Sequence, residues 1–210
     1  MKHKAFTEIV AHSCRVPQKT VALFARNLKE AGLLTSGARG VNAPEMTVLD
    51  LTRMTIALCA TDRPSEATDL TERYCAAECS ESTTIEVEGT EIGLSVDDTL
   101  ESVLSSILSL HTIPLSLLHP ELAINWNTCT ATLGLNGQPV IFKAVNPADV
   151  KNAGRGIITT RGIGGSDFLE MALPFYLEQK DGTTWESMVK EGRTRATVSK
   201  HIFGETEEGK

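Results

Sequence analysis

The sequence predicts an α+β protein in which a helical N-terminal module precedes a unit with a smaller sheet. In the first part of the chain, apolar residues recur every three to four positions, as in amphipathic helices. After a polar stretch near residues 79–84, alternating apolar and polar residues indicate antiparallel strands. We therefore expect a module at residues 1–80, an α+β unit at residues 85–203, and a disordered polar tail at residues 204–210.

A strongly patterned helix is predicted to begin at Pro17. Proline suits the first turn of a helix, where its missing N–H would have no partner in any case. One apolar stripe then follows at helical spacing, made of Val21, Phe24, Ala25 and Leu28. Gly32 readily adopts the left-handed conformation in which many helices end. The pattern predicts one buried and one exposed face.

The twenty residues from Thr7 to Arg26 resemble the helix-turn-helix of DNA-binding proteins. That pattern has apolar residues at its fourth, eighth, tenth, fifteenth and eighteenth places, which here are Val10, Cys14, Val16, Val21 and Phe24. The small Ala11 fills the fifth place, but the ninth is Arg15, where glycine is usual because the chain turns there. The resemblance implies two steeply crossed helices, the second of which enters the major groove of DNA.

The next segment resembles the wing of winged-helix proteins. Leu33-Leu34 occupy the apolar link of that arrangement, and Gly37-Ala38-Arg39-Gly40 supplies a basic tip. The resemblance implies a small hairpin or loop whose arginine reaches a phosphate or a minor groove, and an ordinary surface turn is the alternative. Iron–sulfur winged-helix repressors carry a similar stretch. Their clustered cysteine ligands have no counterpart just downstream here, so no cofactor is expected.

The expected DNA-reading residues lie on the free face of the second helix and in the wing. Glutamine can pair with adenine, lysine and arginine with guanine, and small apolar groups with a thymine methyl. The candidates are Gln18, Lys19, Thr20, Ala22, Leu23, Arg26 and Arg39. The alternative is an amphipathic helix whose basic face is merely solvated.

Other local signals predict the remaining elements. Thr47, with Asp50 three residues later, is a variant capping box and starts a third helix that is apolar nearly all round. Farther along we expect hairpins at Glu88-Gly89 and Asn136-Gly137, a helix after Asp97-Asp98, a strand within residues 156–163, and a helix capped by Ser166. The run Gly162-Ile163-Gly164-Gly165 lacks the lysine and spacing of a P-loop, so a strand-to-helix turn is the better interpretation.

Charge is distributed unevenly along the chain. Residues 1–60 hold eight basic and four acidic side chains, a balance of +4, whereas the whole chain has a formal net charge of −7. Residues 61–210 therefore carry −11. A basic N-terminal module on an acidic protein fits a DNA reader joined to a body that does not bind DNA.

Composition and motifs exclude several other classes. No apolar run is long enough to span a membrane, and the start of the chain has no secretory signal. Five scattered cysteines indicate reduced thiols in a cytoplasm. Cys75 and Cys79 lie one helical turn apart, but no second pair of ligands has matching spacing, so no metal is expected. No catalytic motif is present, and we expect a protein that is not an enzyme.

These observations predict a sequence-specific double-stranded DNA-binding protein, and a transcription regulator above all. Its second unit would dimerise, sense a ligand or contact a partner such as RNA polymerase. Two alternatives stay open. One is a phage or prophage protein similar to small terminase subunits, which recognise DNA for packaging and form larger rings. The other is a protein-interaction adaptor that uses the winged helix to bind protein.

Overall fold

The N-terminal half is helical in the computed structural model, which describes residues 1–38, 42–87, 89–109, 119–144, 160–182, 184 and 187–188. Its helices are α1 (His3–Ser13), α2 (Gln18–Glu30), α3 (Val48–Ala60) and α4 (Ala67–Cys75), with a 3₁₀ turn at Pro64–Glu66. The predicted stripe of α2 is confirmed, since all four of its apolar residues are buried. The helix begins one residue later than predicted, because Pro17 has an extended backbone and is the N-cap.

The turn between α1 and α2 is built around Arg15. Its φ of 54° places it in the left-handed region that glycine favours. The Arg15 N–H donates to the His12 carbonyl at 3.2 Å, and the Val16 N–H donates to the Ala11 carbonyl at 3.1 Å. These two bonds form a Schellman motif, which satisfies carbonyls that the end of α1 would otherwise leave without partners. The chain therefore turns at the ninth place of the pattern although the residue is not glycine.

The second half contains the strands and the remaining helices. They are β1 (Glu78–Cys79), β2 (Thr83–Val87), β3 (Thr90–Leu94), α5 (Leu100–Leu108), β4 (Glu121–Asn125), β5 (Thr130–Leu135), β6 (Gln138–Lys143), β7 (Thr160–Ile163) and α6 (Gly165–Asp181). The α+β class is confirmed. Helix α6 has its N-cap at Gly164 and not at Ser166, so the glycine run is a tight strand-to-helix turn.

Two antiparallel sheets are present in the described residues. The larger has the strand order β1-β6-β5-β4-β7, and the smaller is the β2–β3 hairpin. Asn136 and Gly137 join β5 to β6 with φ values of 49° and 75°, which is the backbone expected of a two-residue hairpin turn. The predicted hairpins are thus confirmed, although Glu88 itself lies outside the described residues.

Helix α3 lies at the centre of the molecule. The predicted capping box is confirmed, because the Thr47 hydroxyl accepts from the Asp50 N–H and the Asp50 carboxylate accepts from the Thr47 N–H. Ten of its thirteen residues are buried. The helix packs against α2, α4, α5, α6, β4 and β7. Its apolar circumference is explained by neighbours on nearly every side.

The segment before α3 is a loop and not a hairpin where it is described. Residues 33–38 and 43–47 contain no strand. The buried Asp50 carboxylate accepts hydrogen bonds from the N–H groups of Thr35 and Thr47, each at 2.6 Å, and so holds both ends of the loop. Arg39 lies outside the described residues, as does the predicted tail at residues 204–210.

The hydrophobic core continues across the expected boundary near residues 80–84. The rings of Phe6 in α1 and Phe175 in α6 meet edge to face, with centroids 6.3 Å apart. The Cys14 thiol approaches the Met171 sulfur at 3.7 Å. Strand β1, which precedes the boundary, pairs with β6 of the larger sheet. Two separable units therefore remain a prediction, and this shared core weighs against it. None of the helices described combines the length and hydropathy of a membrane-spanning segment.

Candidate nucleic-acid interface

Helix α2 presents an outer face opposite its buried stripe. We call this the α2 outer face, and it consists of Gln18, Lys19, Ala22, Leu23 and Arg26, all of them exposed. Leu23 is 47% exposed, which is high for a large apolar side chain. Thr20, another sequence candidate, is half-buried at the edge of the face. Six of the seven candidates are thus on or beside one surface.

The orientation of the α2 outer face is fixed by the packing of the opposite, buried side of the helix. Val21, Phe24 and Leu28 are fully or almost fully buried in the core between α1 and α3. The Asn27 side-chain amide donates to the Pro64 carbonyl at 2.6 Å, which ties α2 to the 3₁₀ turn. A helix anchored along its length and at its side holds exposed side chains in a defined register.

Three cationic side chains of the described residues lie on or next to the outer face. Lys19 and Arg26 are seven residues apart, close to two helical turns, so they project in similar directions. Arg26 Nε donates to Glu30 Oε1 at 2.8 Å, and this hydrogen bond, followed by the charge of Glu30, raises the pKa of Arg26. Such an exposed pair is weak, so Arg26 can exchange it for another anion.

Arg15 is the third cation and was not among the sequence candidates. It is exposed at the turn that leads into α2. The sequence pattern marks it only as a departure from glycine, although it lies three residues before the start of α2, and helix N-termini favour anions. Among the described residues, no side chain caps the N-terminus of α2. The positive end of the helix dipole is therefore not compensated by a neighbouring capping group, which favours a phosphate there.

Lys29 does not belong to the outer face. It is half-buried, and burial lowers its pKa while the charge of Asp50 opposes that shift. The loop residues Ser36, Gly37 and Ala38 are exposed beyond the end of α2. Arg39 follows them outside the described residues, so its position relative to the outer face stays a prediction.

The cysteines form no metal centre in the described part of the chain. No disulfide joins any of the five cysteines, all of which lie in the described residues. The Cys79 thiol donates to the Glu81 carbonyl at 3.0 Å, and burial, followed by the charge of Glu101, raises the pKa of Cys75 above its usual range. No group of three histidine, cysteine or carboxylate side chains converges on one point in the ranges described.

No protein-family model matches the chain, and no curated protein or solved structure is significantly similar to it.

Proposed function

We propose that this protein binds double-stranded DNA in a sequence-specific manner through the α2 outer face and acts as a transcription regulator. The observation that carries the proposal is an exposed helix face, rich in hydrogen-bond donors, on a helix that is rigidly held from behind. Gln18 and Lys19 lie in the first turn of that helix. In helix-turn-helix complexes the N-terminal residues of the second helix meet the base edges.

The dimensions and residue types of the face suit the major groove. An α-helix with its side chains is about 10–12 Å across, and the groove is about 12 Å wide. Gln18 can form two hydrogen bonds with adenine, and Lys19 can donate to guanine. The methyl group of Ala22 can contact a thymine. Arg15 and Arg26 lie at the two ends of this row and are placed to contact phosphates.

The charge distribution supports an oriented approach to DNA. The +4 balance of residues 1–60 is attracted to the duplex, and the −11 of residues 61–210 is repelled by it. One copy offers few cations, so we propose a homodimer that doubles them. The second half would then dimerise or contact a partner such as RNA polymerase.

A protein-interaction adaptor is the second candidate, and Leu23 favours it. A leucine that is 47% exposed in the middle of the face resembles the anchor of a protein interface. In the DNA proposal the same side chain contacts a thymine methyl. The two candidates therefore predict different partners for one residue.

The test begins with selection of duplexes from random genomic fragments, followed by binding across a salt series. Gln18→Ala and Lys19→Ala should each cost roughly 1–3 kcal/mol on the selected site and little on random duplex, because base contacts would be lost. Arg39→Ala should weaken binding to both duplexes and lower the salt slope by about one unit. Lys143→Ala is the matched control, since this exposed lysine lies in β6.

Unchanged affinity of both the Gln18 and Lys19 variants for the selected site would refute the assignment of α2. If no duplex is selected, the adaptor becomes the better interpretation, and Leu23→Ser should then abolish capture of its protein partner.

A further inference from the structure

Arg53 of α3 joins two separate parts of the chain through its guanidinium group. Its Nη1 atom donates a hydrogen bond to the Leu33 carbonyl at 2.9 Å, and its Nε atom donates to Glu101 Oε1 at 2.5 Å. Leu33 follows the turn that ends α2, whereas Glu101 lies in the first turn of α5. The planar guanidinium holds its N–H groups in fixed directions. We call this arrangement of Leu33, Arg53 and Glu101 the Arg53 link.

The ion pair within the Arg53 link is shielded from solvent. The side chains of Arg53 and Glu101 are 24% and 25% exposed, whereas those of the surface pair Arg26 and Glu30 are 73% and 62% exposed. Solvent and salt therefore weaken the first pair less than the second. The Cys75 thiol, at the end of α4, lies close enough to interact with the same Glu101 carboxylate. Two neighbouring helices thus hold this carboxylate in place.

The chain that leaves α2 is held at two points by one side of α3. The Leu33 carbonyl is bonded to Arg53, and two residues later the Thr35 N–H donates to the Asp50 carboxylate at 2.6 Å. Asp50 and Arg53 are three residues apart and therefore lie on the same side of the helix. A single hold would let the chain swing about one point. Two adjacent holds fix its direction as well as its position.

The two holds depend on different parts of the molecule. Asp50 is buried, and its carboxylate also accepts from the N–H and the hydroxyl of Thr47 at the start of its own helix. That hold therefore uses only the N-terminal half. The orientation of Arg53 depends instead on Glu101, because the ion pair fixes the guanidinium that donates to Leu33. A displacement of α5 would consequently reach the chain that leaves α2.

We propose that Arg53 is a positioning residue for the binding of duplex DNA, and that through it the first turn of α5 fixes the course of the chain that leads to Arg39. The inference rests on the proposed function, in which Arg39 contacts a phosphate. Arg39 is four residues beyond Thr35, so it lies at most about 14 Å from that hold at roughly 3.3–3.6 Å per residue. Arg53 itself does not contact DNA, because its half-buried guanidinium is directed at Leu33 and Glu101.

The Arg53 link gives the second half a means of regulating DNA binding. A ligand or protein partner that shifted α5 would change the course of the loop, while the α2 outer face would stay in place because its own buried stripe holds it. Phosphate contacts would then change, and the base contacts of Gln18 and Lys19 would not. The expected signature is a change in affinity that is nearly equal on selected and random duplexes.

Amide hydrogen exchange in the intact chain tests the Arg53 link without DNA. Arg53→Met retains an unbranched side chain but removes both hydrogen bonds. It should raise the exchange rate of the Thr35 amide by about tenfold, because a charge-assisted hydrogen bond no longer holds the adjacent chain. Glu101→Gln should raise the same rate by a smaller factor, since Arg53 keeps its bond to Leu33.

The matched controls are Arg63→Met and Glu66→Gln. These two residues form an ion pair at 3.0 Å, and their side chains are 72% and 46% exposed. Neither control should change the exchange rate of the Thr35 amide. Circular dichroism checks folding. If Arg53→Met does not fold, the double variant with Glu101→Gln replaces it, because no unpaired carboxylate then remains half-buried.

Duplex binding across a salt series tests the positioning role. Arg53→Met should weaken binding to the selected and the random duplexes by a similar factor and lower the salt slope by about one unit, because the phosphate contact of Arg39 is lost. Arg39→Ala should have no further effect in that background, whereas Gln18→Ala should keep its full effect on the selected duplex. A loss of folded protein alone would preserve the effect of Arg39→Ala, so the comparison separates positioning from stability.

Three results overturn the proposal. They are an unchanged exchange rate of the Thr35 amide in the folded Arg53→Met variant, additive effects of Arg53→Met and Arg39→Ala on binding, and a parent protein that selects no duplex. The last result removes the proposed function itself, whereas additive effects in a protein that does select a duplex contradict only the role of Arg53. An exchange rate that responds to Arg53→Met but not to Glu101→Gln overturns the part assigned to α5.

Discussion

At the scale of single residues, Arg15 stands out because its backbone conformation favours glycine. The left-handed region costs a residue with a Cβ atom roughly 1–2 kcal/mol, and substitution by glycine removes this cost. Part of the stability gained is lost again, because glycine gives the unfolded chain more conformational freedom. Arg15→Gly should therefore raise the free energy of unfolding by about 1 kcal/mol. Arg26→Gly, in the interior of α2, should lower it by about 1 kcal/mol. Denaturant unfolding of both variants measures these opposite changes in the free energy of unfolding. A loss of stability in both variants would contradict the left-handed conformation of Arg15.

His3 makes stability depend on pH in a defined direction. Its pKa lies below the ordinary value of 6.5, first because of burial and second because of the charge of Lys29. Its Nδ1 atom is buried with no partner among the described residues. As pH falls below about 6.5, the unfolded chain binds a proton before the folded protein does, so the free energy of unfolding decreases. Above that pH both states are neutral and the effect vanishes.

We expect His3→Gln to reduce the loss of stability between pH 7 and pH 5. Urea midpoints at a series of pH values provide the measurement. His12→Gln is the control, because His12 is exposed on the same helix. The interpretation is wrong if the His3 variant keeps the full pH slope, or if the control flattens the slope equally.

At the scale of elements, the junction between β7 and β4 requires glycine at position 162. A Cβ atom added to Gly162 would lie 2.3 Å from the Leu122 carbonyl oxygen, and that oxygen belongs to backbone in the neighbouring strand. Gly162→Ala should therefore destabilise the fold by roughly 1–3 kcal/mol or more, since the strands must separate. At Gly134 in β5 the added atom would make only ordinary contacts, the nearest at 3.5 Å.

Thermal unfolding distinguishes the two glycines. Gly134→Ala should leave the melting temperature nearly unchanged, whereas Gly162→Ala should lower it by several degrees. Equal melting temperatures for the two variants would mean that β7 does not lie against β4 as described.

Elements were predictable from the sequence where their signals are local. The Thr47–Asp50 cap and the Asn136–Gly137 turn each depend on residues within four positions of one another. No local signal in the sequence indicates that β1 pairs with β6 or that α6 contacts α1. These elements are far apart in sequence. Which of them pack together depends on the shapes of helices and strands that have already formed. The boundary expected near residues 80–84 came from composition, which does not reveal long-range packing.

The candidate interface was predictable to a similar degree. Once the buried stripe of α2 is known, the opposite face follows from 100° of rotation per residue. The pair between Arg26 and Glu30 also has a local signal, since the two are four residues apart. Arg15 was missed because its importance lies in where the turn places it.

At the scale of the whole molecule, the continuous core determines which parts of the chain can be deleted without unfolding the rest. Sequence composition predicts that residues 1–80 fold alone, whereas the structure predicts that they do not. Without α6, the buried ring of Phe6 would lose its edge-to-face partner Phe175, and exposing such a side chain costs about 1.5–3 kcal/mol. Circular dichroism and urea unfolding of a 1–80 fragment decide between the two predictions.

A truncation that removes only residues 204–210 is the control, because that tail is predicted to be disordered and should not affect the melting temperature. A cooperative unfolding transition in the 1–80 fragment would restore the interpretation of an independent module.

The contact between α1 and α6 has a consequence for protein synthesis. The ribosome makes α6 more than 150 residues after α1, so Phe6 has no contact with Phe175 until that later segment has been synthesised. Contacts this distant in sequence form late and leave apolar surface accessible to chaperones meanwhile. A chain that stops before α6 therefore emerges with its first helix uncovered and is a target for degradation. Under the proposed DNA-binding function, interrupted translation would yield no shortened copies that compete with the intact protein for its duplex sites.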